Sequence, residues 1–268
     1  MSGETKSRGQ KDNLDRFYTP SHIVDKCLQL LDLNAYDCII EPSAGTGNFS
    51  KKLNCIAYDI APENDTIIQA DWFEIDKTQF SNFNNILVVG NPPFGEQSRL
   101  AIKFFNEAAK FCNTIAFILP LSFKKDSIQN QLDLHFHLDK EIILKDCYFY
   151  LLNTEQITVP CVFQIWNKSD IPRKKRKLKT TSNLFQFVDK EQADFRIQRV
   201  GGKAGKASFD LNFSKSSNYF IKNTSNKTNE EFVDFINTLT YPSIDFTVGP
   251  KSLPKGELVA VIEENWEI

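Results

Sequence analysis

The chain has 268 residues, 41% of them hydrophobic, which is enough for one sizeable α/β core with a small appendage and excludes a short disordered adaptor. Formal charge is −2, but residues 168–206 hold twelve Lys/Arg against four acids, a local +8 that leaves −10 elsewhere, so a polyanion would be drawn to that segment. Six cysteines without CxxC spacing and the histidines His22, His135 and His137 complete no zinc-ligand pattern, and no apolar run approaches the length of a membrane span.

Residues 1–16, polar and rich in Lys, Gly and Ser, are expected to form a flexible tail. A turn at Tyr18-Thr19-Pro20 leads into a predicted helix from Ser21 to about Leu31, with Ile23, Cys27, Leu30 and Leu31 on its apolar face and Ser21 as N-cap. Short strands are predicted at Cys38-Ile39-Ile40, Asn54 to Tyr58, Ile67 to Ala70, Ile86 to Val89 and Thr114 to Leu119, with a helix from Leu100 to Phe111 before the last of them. This alternation predicts an α/β fold with a Rossmann-like, mostly parallel sheet and helices on both faces. Ligands in such sheets bind beyond the carboxyl ends of the strands. Glu41, Asp59, Asp71 and Asn91 all follow strands closely, so they are expected to line one crevice.

After Pro120, strands are predicted at Ile142-Ile143-Leu144, Cys147 to Leu152 and Thr158 to Trp166, two of which can close the sheet as a hairpin. The run Arg173 to Lys179 reads as a linker or surface loop, residues 168–235 as an insertion or small subdomain, and Leu258 to Ile262 as one more strand. The expected organisation is a tail at 1–16, a cofactor-binding catalytic domain at 17–167, and a basic substrate-binding region with the C-terminal elements at 168–268. Tyr219-Phe220 and Trp266 are expected in core packing, and the thiols reduced and mostly buried.

Gly45-Thr46-Gly47 permits close backbone approach but lacks the third glycine of a dinucleotide fingerprint, and Glu41 is an odd neighbour for a pyrophosphate. A carboxylate there suits a cationic ligand end, such as the amino group or sulfonium of S-adenosylmethionine. Asp59 can accept from both ribose hydroxyls, and Asp71 from the adenine amine while an aromatic neighbour in Asp71-Trp72-Phe73 covers the ring. The loop Phe17-Tyr18-Thr19-Pro20 is expected over the glycine turn, holding the methionine carboxylate. The expected cofactor set is Tyr18, Thr19, Pro20, Glu41, Pro42, Ser43, Gly45, Gly47, Asp59, Ile60, Asp71, Trp72 and Asn91.

Asn91-Pro92-Pro93-Phe94 is the sharpest local signal. A ring-conjugated exocyclic amine is a poor nucleophile because its lone pair is delocalised. Two acceptors aimed at its N–H groups, the Asn91 side-chain oxygen and the Pro92 carbonyl, would turn that lone pair toward a methyl donor. Two prolines stiffen the loop and donate no hydrogen bonds, and Phe94 offers a stacking face for the base. No general base is required, because the amine proton can leave to solvent after methyl transfer.

Taken in order, Phe17-Tyr18-Thr19-Pro20, Glu41-Pro42-Ser43-Ala44-Gly45-Thr46-Gly47-Asn48-Phe49, Asp59, Asp71-Trp72-Phe73 and Asn91-Pro92-Pro93-Phe94 resemble the motifs of the nucleic-acid N6-adenine methyltransferases, the family that contains restriction-modification enzymes. The resemblance covers about residues 17 to 120. It implies a seven-stranded sheet with its last strand antiparallel, metal-free transfer from S-adenosylmethionine, and flipping of the target base. It also implies that Glu41 and Gly45 lie in the cofactor site, Asp59 binds the ribose, Asp71 accepts from the cofactor's adenine amine, Asn91 accepts from the target amine and Phe94 stacks on it.

The region after residue 168 is small for independent reading of a long DNA site. A short DNA site, structured RNA, or a recognition or regulatory partner subunit are the openings this leaves, with DNA favoured. The Asn-Pro-Pro element also resembles that of protein glutamine methyltransferases acting on release factors, whose N-terminal helical domain has no room before Phe17. A noncatalytic methyltransferase-fold subunit is the remaining alternative. Arg173, Lys174, Lys175, Arg176 and Lys177 read as a phosphate-tracking loop, a nuclear import signal or a solvated charge run. Arg196, Arg199, Lys203 and Lys206, beside three glycines, are expected on a substrate-side loop. The protein is expected to be intracellular, in cytoplasm or nucleus, with no membrane or metal partner.

Overall fold

The computed structural model describes residues 18–144, 148–150, 156–176, 178–246 and 250–266. The chain divides into two compact units, Met1–Pro120 with Gln131–Arg173, and Leu121–Asn130 with Lys174–Ile268.

The first unit is a seven-stranded sheet. In chain order it contains α1 (Ser21–Leu28), β1 (Cys38–Glu41), β2 (Ile56–Asp59), β3 (Ile68–Gln69), β4 (Ile86–Gly90), α2 (Arg99–Ala109) and β5 (Thr114–Pro120). After the excursion into the second unit come β6 (Phe136–Leu144), the short pair β7 (Tyr148–Tyr150) and β8 (Gln156–Thr158), and β9 (Cys161–Lys168); α3 (Asp126–Gln129) lies in the excursion. The strand order is β3-β2-β1-β4-β5-β9-β6. Pairings from β3 across to β5 are parallel, while β9 runs antiparallel to both β5 and β6. This is the expected Rossmann-like sheet, with its last strand in chain order, β9, inserted antiparallel.

Every residue of β4 and β5 is buried. Strands covered on both faces read as unbroken apolar runs, which is why these two were the clearest in the sequence. Phe105 of α2 meets Phe136 and Trp166 edge-on, with ring centroids 5.8 and 5.5 Å apart, and so ties the helix to β6 and β9. Among the described residues the crossings from β1 to β4 carry turns and 3-10 segments at Ser50–Lys52 and Lys77–Phe80 rather than long helices. The cavity side of the sheet is therefore lined by loops.

Three local expectations are corrected. Ser21 is not the N-cap of α1: Pro20 precedes the helix, and its carbonyl accepts from Ile23 and Val24. The predicted run Thr158 to Trp166 is split at Pro160, which cannot donate to a ladder; Thr158 ends β8, and Cys161 begins the strand that joins the main sheet. Leu258 to Ile262 is helical, inside α5 (Lys255–Asn265), where Pro254 starts the helix and Leu258, Val259 and Ile262 bury one face.

The second unit holds β10 (Phe185–Phe187), β11 (Phe195–Gln198), β12 (Ala207–Ser208), β13 (Asn218–Asn223) and α4 (Asn229–Thr238), besides α3 and α5. Its antiparallel sheet runs β10-β13-β11-β12. A capping box between Thr228 and Glu231 starts α4. Phe232 of that helix then packs on Phe185, Phe195 and Trp266 at 6.1, 5.7 and 4.8 Å between centroids. Tyr219 and Phe220 are buried, so these aromatics and Trp266 are core, as expected. Among the described residues no helix is long and apolar enough to cross a membrane. Nor does any group of three His, Cys, Asp or Glu converge to hold a metal. Cys27, Cys38, Cys112 and Cys161 are buried, Cys55 is half-buried, and Cys147 lies outside the described residues.

Candidate cofactor and catalytic site

A cavity of about 560 Å³ opens at the carboxyl ends of β1, β2 and β4 in the first unit. Glu41, Asp59, Asp71 and Asn91 all line it, although 50 residues separate the first from the last. The parallel register is the reason: Glu41 pairs with Ala57, and Ile40 with Val88, so the three strand ends emerge together.

The turn after β1 is shaped by its glycines. Gly45 has φ +55°, and a Cβ there would meet the Tyr18 ring at 3.4 Å. Its N–H donates to Asp59 Oδ2 at 2.7 Å, while Asp59 Oδ1 accepts from Ala61 N at 2.9 Å. One carboxylate therefore locks the loops after β1 and β2 to each other. The lone pairs that these two bonds leave are those a ribose would use.

Glu41 is 2% exposed. Its Oε2 accepts from Ser50 N at 2.9 Å, and its Cγ lies 3.3 Å from where a Cβ on Gly90 would sit, so a glycine ends β4 beside it. Burial pushes the carboxyl up to about 8; the Ser50 bond opposes that rise, and the nearby Asp59 charge adds to it. A buried acid of this kind is held neutral until a cation arrives beside it. A raised native pKa means that stability is complete below the unfolded value and is lost as pH climbs through the native one. Between about pH 4.5 and 8 the ligand-free protein should lose up to about 1.4 kcal/mol per pH unit through Glu41. Urea unfolding of the wild type and Glu41→Gln across this range measures the effect. The two curves should diverge as pH rises, with the variant the more stable at pH 8, and parallel curves would remove Glu41 as the cause.

Asn91 follows β4 directly. Its Nδ2 donates to Thr19 Oγ1 at 3.1 Å, and its backbone carbonyl accepts from Ser43 Oγ at 3.2 Å. Thr19 is itself 5% exposed, and its carbonyl accepts from Asn48 Nδ2 at 2.6 Å. The amide plane of Asn91 is thus set from the cofactor side, with its nitrogen on Thr19 and its acceptor Oδ1 on the other branch. The Tyr18 hydroxyl donates to Glu63 across the same turn.

Of the expected cofactor set, Tyr18, Thr19, Glu41, Pro42, Ser43, Gly45, Asp59, Ile60, Asp71, Trp72 and Asn91 line the cavity. Pro20 and Gly47 do not. Pro20 is occupied capping α1, and Gly47, at φ +81°, closes the turn through bonds with Ala44 and Lys51. Pro92 and Pro93 line the cavity, but Phe94 is 6% exposed and stands off it. Its backbone carbonyl accepts from the Leu100 and Ala101 N–H groups at the start of α2, and the ring expected as a stacking face is buried here. The turn that follows carries two non-glycine residues at left-handed φ, Gln97 at 55° and Ser98 at 64°, a strained connection of the kind found beside functional loops.

Trp72 touches the cavity but is 2% exposed and stacks on Phe104 at 6.5 Å, with Lys77 over its ring. Phe73, 36% exposed at the rim and edge-on to Phe104, is the better-placed cover for a planar ring. Phe104, Leu100 and Asn48 also line the wall and carried no motif signal beyond helix periodicity and adjacency to the glycines.

The basic residues divide sharply. In the first unit, Arg173 spends its guanidinium on the carbonyls of Phe136, Leu132 and Asp133 and lies over Trp166. In the second unit, Arg196 is 7% exposed and bonded to Asp210 and Asn218, while Arg199 is half-buried over Tyr219. These three were expected to face substrate and instead hold the fold. Lys174, Lys175, Lys203 and Lys206 are exposed, as is Arg176, which pairs with Asp126; Lys177 lies outside the described residues.

The family model of the EDM2 methyltransferase-like domain matches residues 18–180, more than half of the chain. Curated proteins give no match. Among solved structures, a candidate RNA methyltransferase from Pyrococcus horikoshii is 15% identical, covering 61% of this chain and 93% of its own, with a TM-score of 0.43. The 23S rRNA methyltransferase ErmE is 13% identical over 59% of this chain and 71% of its own, at 0.42. A candidate class I S-adenosylmethionine-dependent methyltransferase from Listeria monocytogenes is 14% identical over 63% and 66%, at 0.44. Likenesses of this size say nothing about substrate. The buried carboxylate of Glu41, the Asp59 carboxylate at the end of β2 and the aromatic rim fit S-adenosylmethionine, which is the cofactor. The chain belongs to the EDM2 methyltransferase-like family and is an S-adenosylmethionine-dependent methyltransferase.

Proposed function

We propose that the enzyme methylates the exocyclic N6 amine of adenine in a nucleic acid. The observation that carries this reading is Asn91-Pro92-Pro93 at the end of β4, in one cavity with Glu41 and Asp59 and with the Asn91 amide set by Thr19. When bound, S-adenosylmethionine supplies a methyl group on a cationic sulfur. Glu41 and Asp59 hold its charged and ribose parts. Asn91 Oδ1 and the Pro92 carbonyl accept the two amine protons and so direct the nitrogen lone pair at the methyl carbon. The N–C bond forms as the C–S bond breaks, and the excess amine proton leaves to water. The exposed Lys174, Lys175 and Arg176 offer phosphate contacts without sequence choice.

The test is incubation with methyl-labelled S-adenosylmethionine and, in parallel, duplex DNA, single-stranded DNA, RNA and a protein fraction, followed by identification of the methylated atom. Label on adenine N6 is expected. Label on a glutamine amide, or on cytosine, would overturn the reading.

A further inference from the structure

The loop at residues 209–217, between β12 and β13, presents two phenylalanines to solvent: Phe209 is 47% and Phe213 46% exposed. Singly exposed apolar residues need no explanation. Phe213 differs because of what lies behind it. The Arg196 guanidinium sits 3.7 Å from its ring centroid, and Arg196 is itself buried. Its Nε donates to the Asp210 carbonyl at 2.6 Å and its Nη1 to Asn218 Oδ1 at 2.8 Å, so both ends of the loop are fastened to the same cation. Arg196 is fixed in turn by β11, paired with Ser208 on one side and Phe220 on the other. The Phe213 ring is therefore held flat on a rigid base, and its exposure comes from its outer face.

A cation on the inner face draws π density inward and leaves the outer face electron-poor. Such a face favours stacking with an electron-rich planar ring, such as a purine. Residues 203–217 carry exposed Lys203 and Lys206 against one acid, Asp210, while Lys215 pairs with Asp189, and the two exposed lysines favour a phosphate backbone. We infer that Phe213, seated on buried Arg196, is a stacking shelf for an unpaired purine of a single-stranded nucleic acid. The inference rests on the nucleic-acid reading above and adds that the strand is unpaired where it meets the second unit. In a duplex, base faces are already stacked, so a shelf of this kind selects open strands.

The full-length protein is titrated into a fluorescein-labelled oligodeoxyadenylate, single-stranded or annealed to its complement, and anisotropy is recorded for wild type, Phe213→Ala and Phe213→Trp. Because Phe213 is exposed, the alanine variant should melt as the wild type does. Loss of one base stack should weaken single-strand binding at least about tenfold, about 1.4 kcal/mol, and change duplex binding little. Phe213→Trp should restore affinity, with its indole emission quenched as the oligonucleotide binds. Equal loss on both substrates, wild-type affinity in Phe213→Ala, or unquenched emission overturns the shelf. If wild type methylates and binds nucleic acid while Phe213→Ala is unchanged, the shelf alone fails. If wild type neither binds nor methylates any nucleic acid, the underlying reading fails with it.

Discussion

Replacing Asn91 by Ala is expected to lower kcat about 10²–10³-fold while leaving S-adenosylmethionine affinity within a few-fold of wild type. The expectation follows from where the residue's contacts lie. Its backbone carbonyl, bonded to Ser43, is retained in the variant, so the strand end keeps its place beside the cofactor loop. What disappears is the amide, whose nitrogen is held by Thr19 and whose oxygen is the acceptor proposed for the target amine. That acceptor matters only when the amine is being made pyramidal, so its loss appears in kcat rather than in cofactor binding. Single-turnover methyl transfer under saturating cofactor, with calorimetric cofactor titration alongside, separates the two. Unchanged turnover would remove Asn91 from the chemistry.

Asp59→Ala should have the opposite signature. Its two oxygens receive Gly45 N and Ala61 N at 2.7 and 2.9 Å, so truncation unfastens the glycine turn from the loop after β2. It also removes the acceptor expected to bind the ribose. Charge-assisted bonds are worth about 1.5–3 kcal/mol each, so the loss of even one to the cofactor raises Kd roughly ten- to a hundredfold, and the loosened turn adds to this. Titration with S-adenosylhomocysteine measures the effect without turnover. Asp59→Asn, which keeps one acceptor oxygen, should fall between the two. A wild-type Kd in Asp59→Ala would place the ribose elsewhere.

That Glu41, Asp59 and Asn91 line one cavity was readable in the sequence because topology does most of the placing. Once Cys38–Glu41, Ile56–Asp59 and Ile86–Gly90 are parallel neighbours, Glu41, Asp59 and Asn91 must emerge at one edge. What could not be read was side-chain direction where two uses compete. Phe94 was offered to a base by its motif, but the structure buries it and leaves it off the cavity lining. Charge counting was blind in the same way. Arg173 and Arg196 add to the +8 of residues 168–206, yet their guanidinium groups are consumed by backbone carbonyls and aromatic rings. Composition counts cations and does not see what they pair with.

Short apolar runs failed for a different reason. Leu258 to Ile262 has too few residues to show a period, so strand and helix fit it equally until Pro254 is given weight as a helix start. The excursion of Leu121–Asn130 into the second unit left no mark in composition. Its only local signal is Pro120 at the end of β5, which says that a strand stops but not where the chain goes.

The most direct measurement is a structure of the protein with S-adenosylhomocysteine and an adenine-bearing strand. The geometry requires the target N6 within about 3 Å of both Asn91 Oδ1 and the Pro92 carbonyl, facing the sulfur. A target nitrogen held by other groups, with the Asn91 amide directed elsewhere, would contradict it.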